Sequence, residues 1–157
     1  MLPARHRLTS PKEFSAVMRG GARAGTSTVV AAVLITPAQS SNPAAPSAGW
    51  QCGFIVSKAV GNAVVRHRTT RRLRHIVREL IEAGQVSLPE GRHTQIVLRA
   101  LSEAPSADHR NLRQDTASAL RRALKKAAGR QNPGTDYRSR QVAARQKSLS
   151  SGAEQSR

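Results

Sequence analysis

Over residues 58–78 the chain carries seven lysines and arginines, with His67 and His75 among them, and meets no acid before Glu79. At about 100° per residue, Val65, Thr69, Leu73, Ile76, Val77 and Leu80 fall on one side of a helix. Arg68, Arg71, Arg72, His75 and Arg78 fall roughly opposite, and Arg66, Thr70 and Arg74, spaced four apart, form a ridge between the two faces. A helix patterned this way has to lay its apolar stripe against another layer. The apolar run at residues 50–57 supplies a strand just before it, Asn62 an N-cap and Gly84 a stop. The outer surface of this strand-to-helix unit is then a row of like charges, which a polyanion such as a phosphate backbone would neutralise. Arginine outnumbers lysine there, which favours bidentate phosphate contacts over diffuse attraction.

The remaining segments suggest what the helix packs on. Ser10, Pro11 and Glu13 read as a helix start, with serine as cap, proline at the first helical position and glutamate reaching back. Phe14, Val17 and Met18 form that helix's apolar face, and Gly20-Gly21 ends it. Residues 28–36 are β-branched and apolar, which predicts a buried strand. Residues 37–49, rich in Pro, Ala and Ser, read as a flexible inserted loop. In the strand at 50–57, Cys52, Phe54 and Val56 point one way and Gly53, Ile55 and Ser57 the other. A turn at 88–91 leads to a third strand at 94–100, with Arg99 near its end. A last helix starts at Ser106 or Asp108 and stops at Gly129, burying Leu112, Thr116, Ala119, Leu120, Ala123, Leu124 and Ala127. The polar, aperiodic sequence beyond it reads as a disordered basic tail at 129–157, leaving one domain at 1–128. The order helix, strand, strand, helix, strand, helix predicts an α/β fold: a two-layer α+β sandwich with a small sheet of three or four strands.

Composition narrows the function. Lysine and arginine number 26 against 9 acids in 157 residues, a formal charge of +17. The tail holds six basic residues and two acids, so most of that charge belongs to the folded part. Such a balance points to nucleic acid, while 3% aromatics leave little material for stacking on single-stranded bases. One cysteine, Cys52, rules out an internal disulfide. No apolar run approaches the roughly 20 residues of a membrane span, and the N-terminus has no secretory pattern, so a cytoplasmic protein without a membrane partner is expected. The acids are scattered, so no carboxylate metal centre is expected. His67 and His75 stand about 12 Å apart along a helix, too far to act on one phosphodiester. The expectation is binding, with no catalytic and no metal-ligating residue.

The run from Lys58 through Gly61-Asn62-Ala63-Val64 to Arg66-His67-Arg68 and Arg71-Arg72-Leu73-Arg74 resembles the signature of the bacterial ribonuclease P protein component. The likeness extends to Arg5-His6-Arg7-Leu8, to Glu13-Phe14 and to the strand at 94–100. The resemblance implies a fold like the second domain of ribosomal protein S5, with a left-handed crossover around the basic helix. It implies a subunit of an endoribonuclease whose large catalytic RNA removes the 5′ leader of precursor tRNA. The RNA would carry the chemistry and hold most of the Mg2+, and the protein would be monomeric in the holoenzyme. By the same resemblance Lys58, Asn62, Arg66, His67, Arg68, Arg71, Arg72 and Arg74 would contact RNA. Phe14, Met18, Val30, Ala32 and Ile55 would line a cleft for the leader, which makes Phe14 and Met18 partly exposed. His67 stands where the motif has asparagine and Thr70 where lysine is usual. Ala59 stands where a second lysine often follows the first, and Met18 and Ala32 at positions that are often aromatic. A structural rRNA-binding ribosomal protein is the alternative function, and an autonomous nuclease a third that the scattered acids disfavour.

Overall fold

The computed structural model describes residues 2–38 and 49–130. Most of the inserted loop and nearly all of the basic tail expected from the sequence lie outside the described residues. Pro37 and Gly49, assigned to the loop from sequence, instead end and begin strands, and Gly129 still belongs to the last helix.

A 3-10 turn at Ala4–His6 precedes α1 (Pro11–Gly20), β1 (Ala22–Gly25), β2 (Val29–Pro37), β3 (Gly49–Ile55), α2 (Ala63–Glu82), β4 (Arg92–Ala100) and α3 (His109–Gly129). The sheet order is β1-β2-β4-β3, with β1 and β2 antiparallel, β2 and β4 antiparallel, and β3 and β4 parallel. The parallel pair is joined through α2, which makes the basic helix the crossover connection.

Alternation along the strands sends side chains to two faces. One face presents Ala24, Val29, Ala31, Val33, Cys52, Ile96 and Leu98 to the main core, which α2 and α3 close with Leu73, Ile76, Val77, Leu80, Leu112 and Leu120. Thr69 and Thr116 join the buried stripes by donating to the carbonyls of Val65 (2.9 Å) and Leu112 (2.7 Å), so their hydroxyls are satisfied within the helix. The opposite face carries a smaller cluster of Leu8, Val17, Ala32 and Val97 under α1. The sandwich of sheet and two helices therefore has a third helix on its second side.

The N-caps follow the sequence in two helices of three. Asn62 Oδ1 accepts from Val65 N at 3.0 Å and Asp108 Oδ1 from Asn111 N at 2.7 Å, so both long helices are side-chain capped. Gly84, at φ +70°, takes the left-handed conformation that stops α2. The Ser10 side chain, expected to cap α1, makes no such bond; α1 starts on Pro11 with Phe14 N donating to the Ser10 carbonyl at 3.0 Å.

Strand β1 was not expected from the sequence. Its four residues, Ala-Arg-Ala-Gly, have no β-branched member, and the strand exists because it folds back on β2 in register from Ala22↔Val33 to Gly25↔Val30. Both sheet edges are covered. Along β3, Arg7 forms a bridge with Cys52, Leu8 N donates to the Cys52 carbonyl at 3.1 Å, and His6 stacks on Trp50 at 4.1 Å. Along β1, the carbonyls of Arg23 and Gly25 accept from Lys126 Nζ (3.0 Å) and Arg122 Nη2 (2.6 Å) of α3.

Candidate nucleic-acid interface

Burial of the α2 stripe fixes the helix's rotation and so decides which cations face solvent. His67, Arg68 and Arg71 are exposed along the first three turns, and Lys58 is exposed in the segment leading in. Ala63, Val64, His67, Arg68, Thr70, Arg71 and Arg74 line one shallow concavity along the outer side of the helix. Val64 at its lip is 68% exposed, the one large apolar side chain left open among the described residues.

The charge balance changes along α2. Three ion pairs occur among the described residues: His75 with Glu79 at 3.7 Å, Arg78 with Glu82 at 2.8 Å, and Arg113 with Glu79 at 3.0 Å. All involve the C-terminal half of the helix. Lys58, Arg66, Arg68, Arg71 and Arg74 face no acid among those residues. The N-terminal half is thus a cationic surface that nothing described in the chain neutralises.

The ridge residues lie against protein, as their spacing predicts. Arg74 places its guanidinium 5.9 Å from the centre of the Phe54 ring, a cation–π arrangement that holds α2 over β3. Beneath them, burial raises the Cys52 thiol's pKa well above its ordinary value, and the nearby Arg74 charge opposes that shift only in part. Arg66 is half-buried, and its Nε lies out of solvent without a hydrogen-bond partner. Thr70 Oγ1 donates to the Arg66 carbonyl at 2.9 Å.

Arg72 departs from the expected outer surface. Its guanidinium turns toward the connection between β4 and α3, donating to the carbonyl of Ala107 at 2.7 Å and approaching those of Ala104 (3.4 Å) and Pro105 (3.5 Å). The helical wheel places this position outward. The connection folds back over it, a long-range feature that periodicity does not report. Asn62, grouped with the cations from sequence, is exposed, and its Oδ1 is occupied as the cap.

The second face of the sheet gathers the other set of candidates. Phe14 lies directly on Gly53: a Cβ there would stand 2.2 Å from the Phe14 ring. Phe14, Met18 and Ile55 border the small cluster under α1 and are half-buried, whereas Ala32, 2% exposed, lies inside it. One row further along the sheet, Val30 pairs with Arg99 and Arg99 with Ile55. Arg99 is exposed between two half-buried apolar neighbours. From sequence Arg99 is only the end of a strand; the register with Val30 and Ile55 puts a cation in the middle of the candidate cleft. Alternation alone could have assigned Arg99 to this face, but not its neighbours.

No group of three or more His, Cys, Asp or Glu side chains that could hold a metal ion occurs among the described residues, and no described helix is long and apolar enough to cross a membrane.

Comparison with known proteins gives one answer. The family model described as Ribonuclease P matches residues 2–124. A ribonuclease P protein component from Micrococcus luteus is 46% identical over 129 residues, covering 80% of this chain and 92% of that protein. One from Corynebacterium glutamicum is 44% identical over 120 residues, covering 73% and 89%. Among solved structures, the Staphylococcus aureus RNase P protein superposes with a TM-score of 0.58 at 18% identity, covering 75% of this chain and 94% of that one. The Thermotoga maritima RNase P protein gives 0.55 at 18% identity, covering 74% and 96%. At that identity the two structures speak for the fold.

Proposed function

The chain belongs to the ribonuclease P protein family, and on that premise we propose that it binds the catalytic RNA of ribonuclease P and the 5′ leader of precursor tRNA. The observation that carries this reading is the acid-free half of α2, where Lys58, Arg66, Arg68, Arg71 and Arg74 meet no carboxylate among the described residues. Arg68 and Arg71, exposed and one turn apart, are the direct phosphate contacts. Each releases condensed counterions on binding, which makes the affinity fall steeply with salt. Arg66 and Arg74, braced against the sheet margin, present guanidinium groups held in place by their surroundings, so little side-chain freedom is lost on binding. His67 offers imidazole donors and acceptors beside them, and Asn62 offers the amide nitrogen that its capping role leaves over. Arg72 serves the fold rather than the RNA.

The leader lies on the second sheet face, across Val30, Arg99 and Ile55, with Phe14 and Met18 as one wall. Ala32 forms the floor beneath α1 and supports that wall without reaching the leader. Arg99 supplies the positive charge at the centre of this apolar row. The Mg2+ of the reaction is held mainly by the RNA, and no step passes through a metal on the protein. Hydrolysis belongs to the RNA, and the protein supplies affinity and substrate alignment as a monomeric cytoplasmic subunit. Family membership sets aside the ribosomal alternative.

Binding of ribonuclease P RNA, followed across a salt series, tests the assignment. Replacing Arg68 and Arg71 together by glutamine lowers the slope of log K against log salt by about 2, at roughly 0.9 per phosphate contact. An unchanged slope refutes α2 as the RNA surface.

A further inference from the structure

A second cationic surface lies on the opposite edge of the sheet from the one that α2 covers. Arg74 holds α2 over Phe54 in β3, one edge strand, while α3 reaches β1, the other. Three strand spacings, about 14 Å, separate the two edges. Three cations are bonded around β1, two from α3 and one from the strand itself. Arg122 donates to the Gly25 carbonyl, Lys126 donates to the Arg23 carbonyl, and the Arg23 guanidinium folds back to donate to the Met18 carbonyl on the α1 side. The two carbonyls are two residues apart on one strand, so their partners are anchored about 7 Å from each other.

All three side chains are exposed. None is paired with an acid among the described residues, where the three ion pairs lie elsewhere. The closest acid on α3 along this direction is Asp115, about 10 Å of helical rise before Arg122, and it accepts from Ser27 Oγ (3.1 Å) and Thr28 Oγ1 (2.7 Å). A carbonyl bond takes one donor of a guanidinium or ammonium group and leaves the unit charge and the remaining donors available. The bonds to β1 therefore hold the side chains in position without neutralising them, and a preorganised donor loses little entropy when a phosphate arrives.

We propose that Arg122 and Lys126, with Arg23 adding charge from the α1 side of the same strand, form a second phosphate-binding site that grips a different segment of the catalytic RNA backbone from the one held by α2. The protein is then a two-sided brace between two RNA segments. This rests on the proposed RNA-binding function, and the test separates the two claims.

The experiment measures salt-dependent binding of the full-length chain to ribonuclease P RNA alone. Arg122→Gln with Lys126→Gln removes two charges and keeps amide donors for the β1 carbonyls. It lowers the salt slope by about 1.5 to 2. The pair Arg110→Gln and Lys125→Gln removes the same charge from exposed positions elsewhere on α3 and changes the slope by less than half as much. The swap Arg122→Lys with Lys126→Arg conserves charge and keeps the wild-type slope, which separates charge from any loss of fold. Equal effects of the two glutamine pairs overturn the site in favour of bulk charge. No effect of the edge pair, with Arg68→Gln and Arg71→Gln still effective, overturns the second site and leaves the α2 reading intact. An edge effect seen only when precursor tRNA is present overturns the assignment to the catalytic RNA. If the α2 pair also has no effect, it is the underlying RNA-binding reading that fails.

Discussion

Arg72→Ala separates a structural arginine from an RNA-binding one within a single helix. The side chain is half-buried and makes one well-formed charge-assisted bond, to the Ala107 carbonyl at 2.7 Å. The approaches to Ala104 and Pro105, at 3.4 and 3.5 Å, are long enough to add little. A hydrogen bond to a charged group contributes about 1.5–3 kcal/mol, and solvent reaches the freed carbonyls after truncation, so a loss of about 2 kcal/mol is expected. For a folded part of this size each kcal/mol moves the midpoint by about 4 °C, which gives a Tm lower by about 8 °C. Arg72→Lys recovers about half of that, because it keeps a charged donor for the Ala107 carbonyl but not the rigid guanidinium geometry that aims it. Thermal melts followed by circular dichroism give the stability, and the salt series for RNA binding gives the contact count. The expected pattern is a lowered Tm with an unchanged salt slope. A wild-type Tm together with a slope reduced by about 1 would show instead that Arg72 contacts phosphate and does not brace the β4–α3 connection.

Three further outcomes follow from the geometry. Gly53→Ala drives a methyl group into the Phe14 ring, forcing that ring off its seat and costing about 1–3 kcal/mol; a denaturant midpoint equal to wild type would contradict the packing of Phe14. Asn62→Ala removes the α2 cap and costs about 1 kcal/mol, with Asn62→Asp retaining the cap; urea melts of the two variants compare them. Burial raises the Cys52 pKa on folding, so the unfolded chain ionises first: the thiol's contribution is fully present below about pH 8.5 and is lost as pH rises above it. Cys52→Ala should therefore show a shallower alkaline loss of stability than wild type by up to about 1.4 kcal/mol per pH unit, and parallel curves for the two proteins would refute it.

Much of the fold was legible because periodicity and caps act locally. The α2 stripe, the Asn62 cap and the Gly84 stop follow from spacing and residue type, and the structure reproduces them; of Ser106 and Asp108, both open as starts of α3, Asp108 is the cap. The failures are non-local. Strand β1 has no strand pattern and depends on β2 for its pairing. Ser10 has a capping residue's chemistry, yet its side chain makes no cap bond. Arg72 sits on the wheel where a solvent-facing cation belongs, but the β4–α3 connection comes back across it. Arg99 gains its place between Val30 and Ile55 from register alone. The grip of Arg122 and Lys126 on β1 spans some hundred residues of chain, beyond any window of sequence.

By the proposed function, this chain assists a catalytic RNA by neutralising its phosphates. The direct measurement is a magnesium titration of precursor tRNA cleavage by ribonuclease P RNA from the same source, with and without the protein. Wild-type protein is expected to shift the titration to lower magnesium, and the Arg68→Gln, Arg71→Gln variant, folded as judged by its Tm, to lose much of the shift. Superimposable titrations with and without wild-type protein would contradict it.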